Sequence, residues 1–238
     1  MAAKSALLRT LARQLPAERR ATAGRDLFRT GLEAMDELAP HGALRCGAIH
    51  ELLFDPAVSP PRSLALILAR AAQAARGGAI VWSDPRRQLH PTAVSTAGID
   101  LRRMILLRPR NAAQEISALT ECLRCKGVSA AITHLNRLSD LEARRLQLAA
   151  ENGGGVGIFL RPSSTGSSGN YAAATRWLVR PTLEMDDLQC WIVELLHGHG
   201  GRLGSSVLLE VDRETGDVRA SAPLANRPAA TPRVRATA

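Results

Sequence analysis

The sequence predicts an α/β domain: a mainly parallel sheet flanked by helices, with antiparallel strands at one edge. Three observations predict it. From Ala48 to Leu160, short apolar runs of strand length alternate with longer stretches of helical periodicity, the pattern of a parallel sheet covered on both faces. Glycines fall where the helical stretches end, at Gly77-Gly78 and Gly153-Gly154-Gly155, and glycine accepts the left-handed backbone that closes a helix. After residue 170, three more strand-like runs follow with turns rather than long helices between them, which suits antiparallel pairing.

Residues 1–30 are basic, with seven Lys/Arg against Glu18 and Asp26. Leu7, Leu8, Leu11 and Leu15 share one helical face there, and Pro16 follows. That face either packs on its own domain or docks a partner; an organellar presequence is a third reading. Residues 31–46 read as a short helix and a turn leading into the first strand, which holds Ala48, Ile49, Leu52 and Leu53. Arg62 to Arg76 is a strongly helical Ala/Leu stretch behind a double proline. Ala79–Trp82 is a buried strand, Leu101–Leu107 contains another, and Asn111–Lys126 is a helix. Val128–His134 is a strand, Asp140–Glu151 a helix and Val156–Leu160 a strand. The stretch 162–170 (PSSTGSSGN) is a loop by composition. Trp177–Arg180, Cys190–Leu195 and Ser206–Val211 are the closing strands, and Asp212–Asp217 is a turn. From Ala220 onward, Pro, Ala and Arg without acids suggest a disordered basic tail. The expected organisation is a basic N-terminal segment (1–30), one α/β domain (31–218) and the tail (219–238).

The segment 47–77 has the layout of a nucleotide-binding unit, strand then loop then long helix, yet there is no glycine between Gly47 and Gly77. A loop that cradles phosphate curls so that successive backbone N–H groups point at the anion, and glycines permit that curl. Here the loop is Phe54-Asp55-Pro56-Ala57-Val58-Ser59-Pro60-Pro61. Its three prolines have no N–H to donate, and Asp55 repels phosphate. The layout of an ATPase without its phosphate cradle points to a scaffold or accessory protein rather than a motor.

Composition narrows the function classes. Apolar residues make up 45% of the 238, enough for a core, but aromatics are only 3%, so stacking platforms for single-stranded nucleic acid are scarce. The formal charge of +9 suits acidic partners or nucleic acid; yet all but Lys4 and Lys126 of the 31 basic residues are Arg, a bias that a GC-rich genome also produces. The apolar runs are too short to span a bilayer and the N-terminus has no secretory core, so the chain reads as cytoplasmic. Cys46, Cys122, Cys125 and Cys190 form no disulfide framework in a chain of this size.

The order of elements resembles the RecA-like ATPase core. The stretches GGAIVWSDPRRQLHP (77–91) and GIDLRRMILLRP (98–109) resemble its second strand and the segment that follows. Within that group, GLEAMDELAPHGALRCGAIHELL (31–53), the strand pair after the Ser/Gly loop and LLEVDRETGDV (208–218) resemble the ImuA family. These are RecA-like accessory proteins of a bacterial mutagenic translesion-synthesis cassette. The resemblance spans roughly residues 30–220. It implies a RecA-like core, DNA repair in the SOS response, no catalysis, no cofactor and no metal. It implies as partners a Y-family-like polymerase homologue and an alternative replicative-type polymerase, with RecA and weakly bound DNA as further partners, and a role for the C-terminal region in holding the polymerase homologue.

Where the resemblance carries active-site stations, this chain departs from them. Pro61-Arg62-Ser63 stands where a phosphate loop has Gly-Lys-Ser/Thr. Arg86 stands for the glutamate that activates water, His134 for the aspartate that holds magnesium, and Pro162 for the glutamine that senses nucleotide. Four replaced stations, Arg62/Ser63, Arg86, His134 and Pro162, with Asp84 beside them, describe a degenerate nucleotide site.

Other residues carry two readings each. Cys122-Leu-Arg-Cys125 is either a pair of half-buried helix residues or a zinc or redox pair. His134 is a hydrogen-bonded strand-end histidine or a ligand. His197-Gly-His199-Gly-Gly201 is a turn or a metal site, Asp84 a turn cap or a remnant of the site, and Asp186-Asp187 a solvated pair or a basic partner's contact. Arg102, Arg103, Arg108 and Arg110 are the densest basic patch of the core, a solvated face or, with Arg161, a nucleic-acid contact. The helix Ser5–Leu15, the edge strand around Trp191 and the basic tail are the expected docking elements. Against the accessory reading stand an atypical nucleotide hydrolase using Arg62, Ser63 and Asp84, and a cell-division inhibitor of the SulA type, which shares a reduced RecA-like core.

Overall fold

The structure, a computed structural model, describes residues 27–164, 172–182, 188–212 and 218–224. The expectations for the leucine face Leu7, Leu8, Leu11 and Leu15, for Asp186-Asp187, and for most of the Ser/Gly loop and the tail lie outside these residues.

Nine strands form one sheet, in the order β11-β10-β9-β8-β3-β7-β6-β4-β5. They are β3 (Ile49–Phe54), β4 (Ala79–Ser83), β5 (Met104–Leu107), β6 (Val128–His134), β7 (Val156–Pro162), β8 (Thr175–Pro181), β9 (Leu188–Gly198), β10 (Ser206–Asp212) and β11 (Val218–Leu224). The six from β5 to β8 run parallel, and β8 to β11 pair antiparallel. A small ribbon, β1 (Leu27–Phe28) with β2 (Leu44–Arg45), precedes them. The helices are α1 (Glu33–Leu38), α2 (Arg62–Arg76), α3 (Pro91–Thr96), α4 (Ala112–Arg124) and α5 (Asp140–Gly153). This is an α/β fold with a mixed, mainly parallel sheet between helical layers, the architecture of a RecA-like core.

Alternation along the strands sorts the core into two layers. Leu52, Phe54, Ile80, Trp82, Ile132, Ile158 and Leu160 face one side and pack with α2 through Leu64, Ala65 and Leu68. Ile49, Val81, Ala131 and Phe159 face the other and pack with α4 and α5 through Leu119, Leu123 and Leu146. Because side chains alternate at period two, each central strand feeds both layers. With few aromatics, the fit depends on close backbone approach. A Cβ on Gly153 would lie 2.0 Å from the Leu123 carbonyl oxygen, so glycine alone lets the end of α5 meet the end of α4.

Two polar clusters sit inside this core. Glu51 on β3 accepts from Arg161 on β7 at 2.7 Å and from Arg176 on β8 at 2.6 Å, with all three side chains at or below 10% exposure. His50 is fully buried, its Nε2 2.8 Å from the Arg45 carbonyl oxygen and its Nδ1 2.8 Å from Thr175 Oγ1. A carbonyl only accepts, so Nε2 carries the proton and Nδ1 accepts from Thr175; the Trp177 indole N–H donates in turn to Thr175 Oγ1 at 2.8 Å. Burial pushes the His50 imidazole down to about 4.

Three expectations are corrected here. Trp191 is not on an edge strand: β9 lies between β8 and β10, and Trp191 is buried in the main core. The antiparallel edge is β11, which covers residues 218–224 where a disordered tail was expected to begin. Backbone pairing with β10 explains it, since ladder hydrogen bonds form without apolar side chains. Arg161 is no nucleic-acid contact. It lies at the end of β7 on the layer opposite Leu160, buried against Glu51.

Candidate functional site

In an open parallel sheet, ligands bind beyond the carboxyl ends of the strands. A cavity of about 470 Å³ lies there, against the ends of β4, β6 and β7 and the starts of α2 and α4. Arg62, Asp84, Arg86 and His134, four of the residues singled out in the sequence, line it together. Ser63, half-buried on α2, and Pro162, paired with Phe54 at the end of β7, are not among its lining residues.

Asp84 sits at the end of β4, buried, and its carboxylate is engaged in the backbone. Oδ1 accepts from the Gln88 N–H at 2.8 Å and Oδ2 from the Leu89 N–H at 3.1 Å. These bonds close a tight turn in which Arg87 takes a positive φ of 54°. The turn presents the Gln88 side chain, whose Oε1 accepts from Arg62 Nη2 at 2.6 Å. Asp84 is therefore a turn clamp, and Arg62 is held to a neutral amide.

The phosphate-loop region is engaged too. The Ala57 N–H donates to Asp55 Oδ1 at 2.8 Å and the Val58 N–H to the Asp55 carbonyl at 3.0 Å. The Arg62 N–H turns back to the Pro60 carbonyl at 2.8 Å. N–H groups that a phosphate needs are thus bonded within the loop, beside a carboxylate.

Glu115 on α4 is a lining residue the sequence reading did not single out. Its Oε1 accepts from Ser83 Oγ at 2.5 Å and from Thr133 Oγ1 at 2.8 Å, tying α4 to the ends of β4 and β6. A carboxylate in the first turn of a helix reads as a dipole partner in sequence; only the packing reveals the two hydroxyls beneath it. Arg137 and Gln88 were also missed, since loop residues carry no periodic signal. His134 ends β6, its ring edge-on to Phe54 with centroids 5.4 Å apart. Burial first, then the charges of Arg86 and Arg62, hold its imidazole below the usual range, with Glu115 opposing them. The ring is therefore neutral near pH 7.

The expected basic patch divides. Arg102 and Arg103 lie in a 3-10 turn before β5, with Arg103 Nη2 donating to the Gly78 carbonyl at 3.1 Å. Arg108 and Arg110 lie after β5, and Arg110 lines the cavity. The four residues of β5 put roughly 13 Å between the pairs, at opposite ends of the sheet.

Two remaining pairs have plain structural settings. Cys122 is buried in α4, and burial, with Cys125 and Glu121 adding to it, pushes its thiol up to about 12, so it carries no nucleophilic thiolate near neutrality. His197 lies in β9 and His199 in the turn after it; no group of three metal-ligating side chains occurs among the described residues. No helix among them is long and apolar enough to cross a membrane.

Comparison with known proteins fits this geometry. A family model described as "Cell division inhibitor SulA" matches residues 47–157, the parallel half from β3 to the start of β7. "Cell division inhibitor SulA" of Yersinia pestis (strain Pestoides F) is 25% identical over 96 residues, 40% of this chain and 57% of that protein. "Protein ImuA" of Caulobacter vibrioides (strain NA1000 / CB15N) is 32% identical over 197 residues, which cover 75% of this chain and 81% of that protein. The likeness to ImuA thus covers more of the chain than the 111 residues matched by the SulA model, at an identity and coverage that show kinship: the chain belongs to the ImuA/SulA-related family.

Proposed function

We propose that this chain is a non-catalytic accessory protein of a bacterial mutagenic translesion DNA-synthesis complex, working by docking to polymerase components. The partners are a Y-family-like polymerase homologue and an alternative replicative-type polymerase, with recombinase or DNA as secondary contacts. The family membership is consistent with an accessory role. One observation carries the loss of catalysis. The carboxylates of Asp55, in the loop where an ATPase receives phosphate, and of Asp84, beside the station of the water-activating glutamate, are bonded to the protein's own backbone N–H groups. A fold that keeps its sheet while its site closes on itself remains a surface for partners.

The test is a pair of assays on the full chain. Phosphate release from magnesium-ATP is expected at the background rate, and the purified Y-family-like polymerase homologue is expected to co-elute with the chain. Hydrolysis above background, lost in Arg62→Ala, would overturn the non-catalytic reading; failure to co-elute would overturn the docking reading. The family match at 47–157 supports a second reading, inhibition of cell division. It covers the parallel half alone. A block in septation on expressing the chain, without polymerase binding, would favour it.

A further inference from the structure

The cavity beyond β4 and β6 holds charge that its surroundings leave unbalanced. Arg62, Arg86, Arg110 and Arg137 all line it. Among the described residues none of the four makes an ion pair. The two carboxylates in the wall, Asp84 and Glu115, each accept two hydrogen bonds from the fold itself. His134 adds a separate mark: its Nε2 is shielded from solvent and has no hydrogen-bond partner in the structure. Buried polar atoms are rarely left so, and this one belongs to a residue that lines the cavity. Low-dielectric walls focus the field of the arginines into the cavity.

The remaining lining mixes polar side chains, Ser83, Gln88, Asn111 and Asn136, with an apolar part that includes Trp82, Leu89 and Leu160. Arg86, Arg110 and Arg137 are exposed, so a partner can reach them. We propose that this cavity is a docking pocket for an acidic segment of a partner protein. Aspartate or glutamate carboxylates of the segment are gripped by Arg86, Arg110 and Arg137, whose planar forks match a carboxylate bidentately. A neighbouring apolar side chain covers Leu89, the half-buried apolar residue of the lining. A free phosphate satisfies the arginines but leaves that apolar surface wet, and a triphosphate lacks the backbone cradle described above. The pocket's chemistry stands on the geometry; the identity of the partner rests on the accessory reading.

The experiment uses the full chain and a fluorescent peptide of alternating Asp/Glu and Leu, read by anisotropy. Binding is expected to weaken at least tenfold when the peptide's acids become Asn/Gln, and at least tenfold in the R86E/R137E variant. It should fall as salt rises. The variant's melting point is expected to match the parent's, because among the described residues neither side chain is in an ion pair or the core. Equal binding by the variant, or displacement of the peptide by equimolar inorganic phosphate or single-stranded DNA, overturns the proposal. The same variant is then mixed with the purified polymerase homologue. Loss of co-elution supports both readings. Co-elution as strong as the parent's overturns the pocket and leaves the accessory role standing. Peptide binding by a parent chain that does not capture the polymerase homologue supports the pocket and overturns that role.

Discussion

Glu51 shows how a single side chain can hold three strands. Its two carboxylate oxygens bridge Arg161 on β7 and Arg176 on β8, all within the core. Removing one member of a buried charge cluster costs about 3–5 kcal/mol, because the remaining charges lose the group that offset their desolvation. Glu51→Ala is therefore expected to lower the unfolding free energy by about 3 kcal/mol or more, read from urea midpoints at unchanged slope. His50 adds a pH dependence. Its folded imidazole titrates near 4, against the usual 6.5, so the unfolded chain binds the proton more readily. Stability is then fully present above about pH 6.5 and falls as the pH drops toward 4. Between pH 7 and pH 5 the loss from this residue is about 2 kcal/mol. Urea midpoints at the two pH values, compared with those of His50→Gln, measure it; an unchanged difference in the variant would assign the effect elsewhere.

At the scale of elements, α5 has a complete entry and a constrained exit. Ser139 caps it: its side chain accepts from the Glu142 N–H, while the Glu142 carboxylate accepts from the Ser139 N–H at 2.9 Å. Ser139→Ala is expected to cost about 1 kcal/mol, visible as an early loss of hydrogen-exchange protection in α5. At the other end Gly153 lies against α4, where the contact is backbone that cannot swing away. Gly153→Ala is expected to cost about 3 kcal/mol through overpacking, seen as a lowered midpoint in a thermal melt. The capping pair lies in consecutive sequence and its consequence is local. The glycine's role is set by a helix thirty residues upstream.

For the whole molecule, the topology explains why the nucleotide stations lie at one end of the sheet. Parallel strands place Phe54, Asp84, His134 and Pro162 at one end of the sheet, as the strand order requires. Restoring residue identities does not reopen the site while Asp55 and Asp84 stay bonded to their own turns. A triple variant, Arg62→Lys, Arg86→Glu and His134→Asp, is expected to release phosphate from magnesium-ATP no faster than the parent. Measurable turnover would show that side chains alone had been missing.

Much of this was legible in one chain of letters. Short apolar runs marked the central strands, which bury both faces, and helical periodicity marked α2, α4 and α5, which bury one face each. The missing glycines and the prolines of the loop marked the lost phosphate cradle, since that chemistry resides in local backbone. Partner choice among polar groups was not legible. Arg161 and Arg110 are both arginines near a strand end, yet one is buried against Glu51 and the other opens on the cavity. Trp191 looked like an edge residue until β10 and β11 covered it; the hydrogen bonds that add β11 depend on backbone alone and leave little trace in composition. The sequence by itself determined the central strands, α2, α4 and α5 and that no phosphate loop forms, because propensity, periodicity and backbone capacity are local. Tertiary structure decided which charges are paired and which, among the described residues, converge on one cavity without an ion pair, because a charge's partner is set by distance in space across strands far apart in the chain.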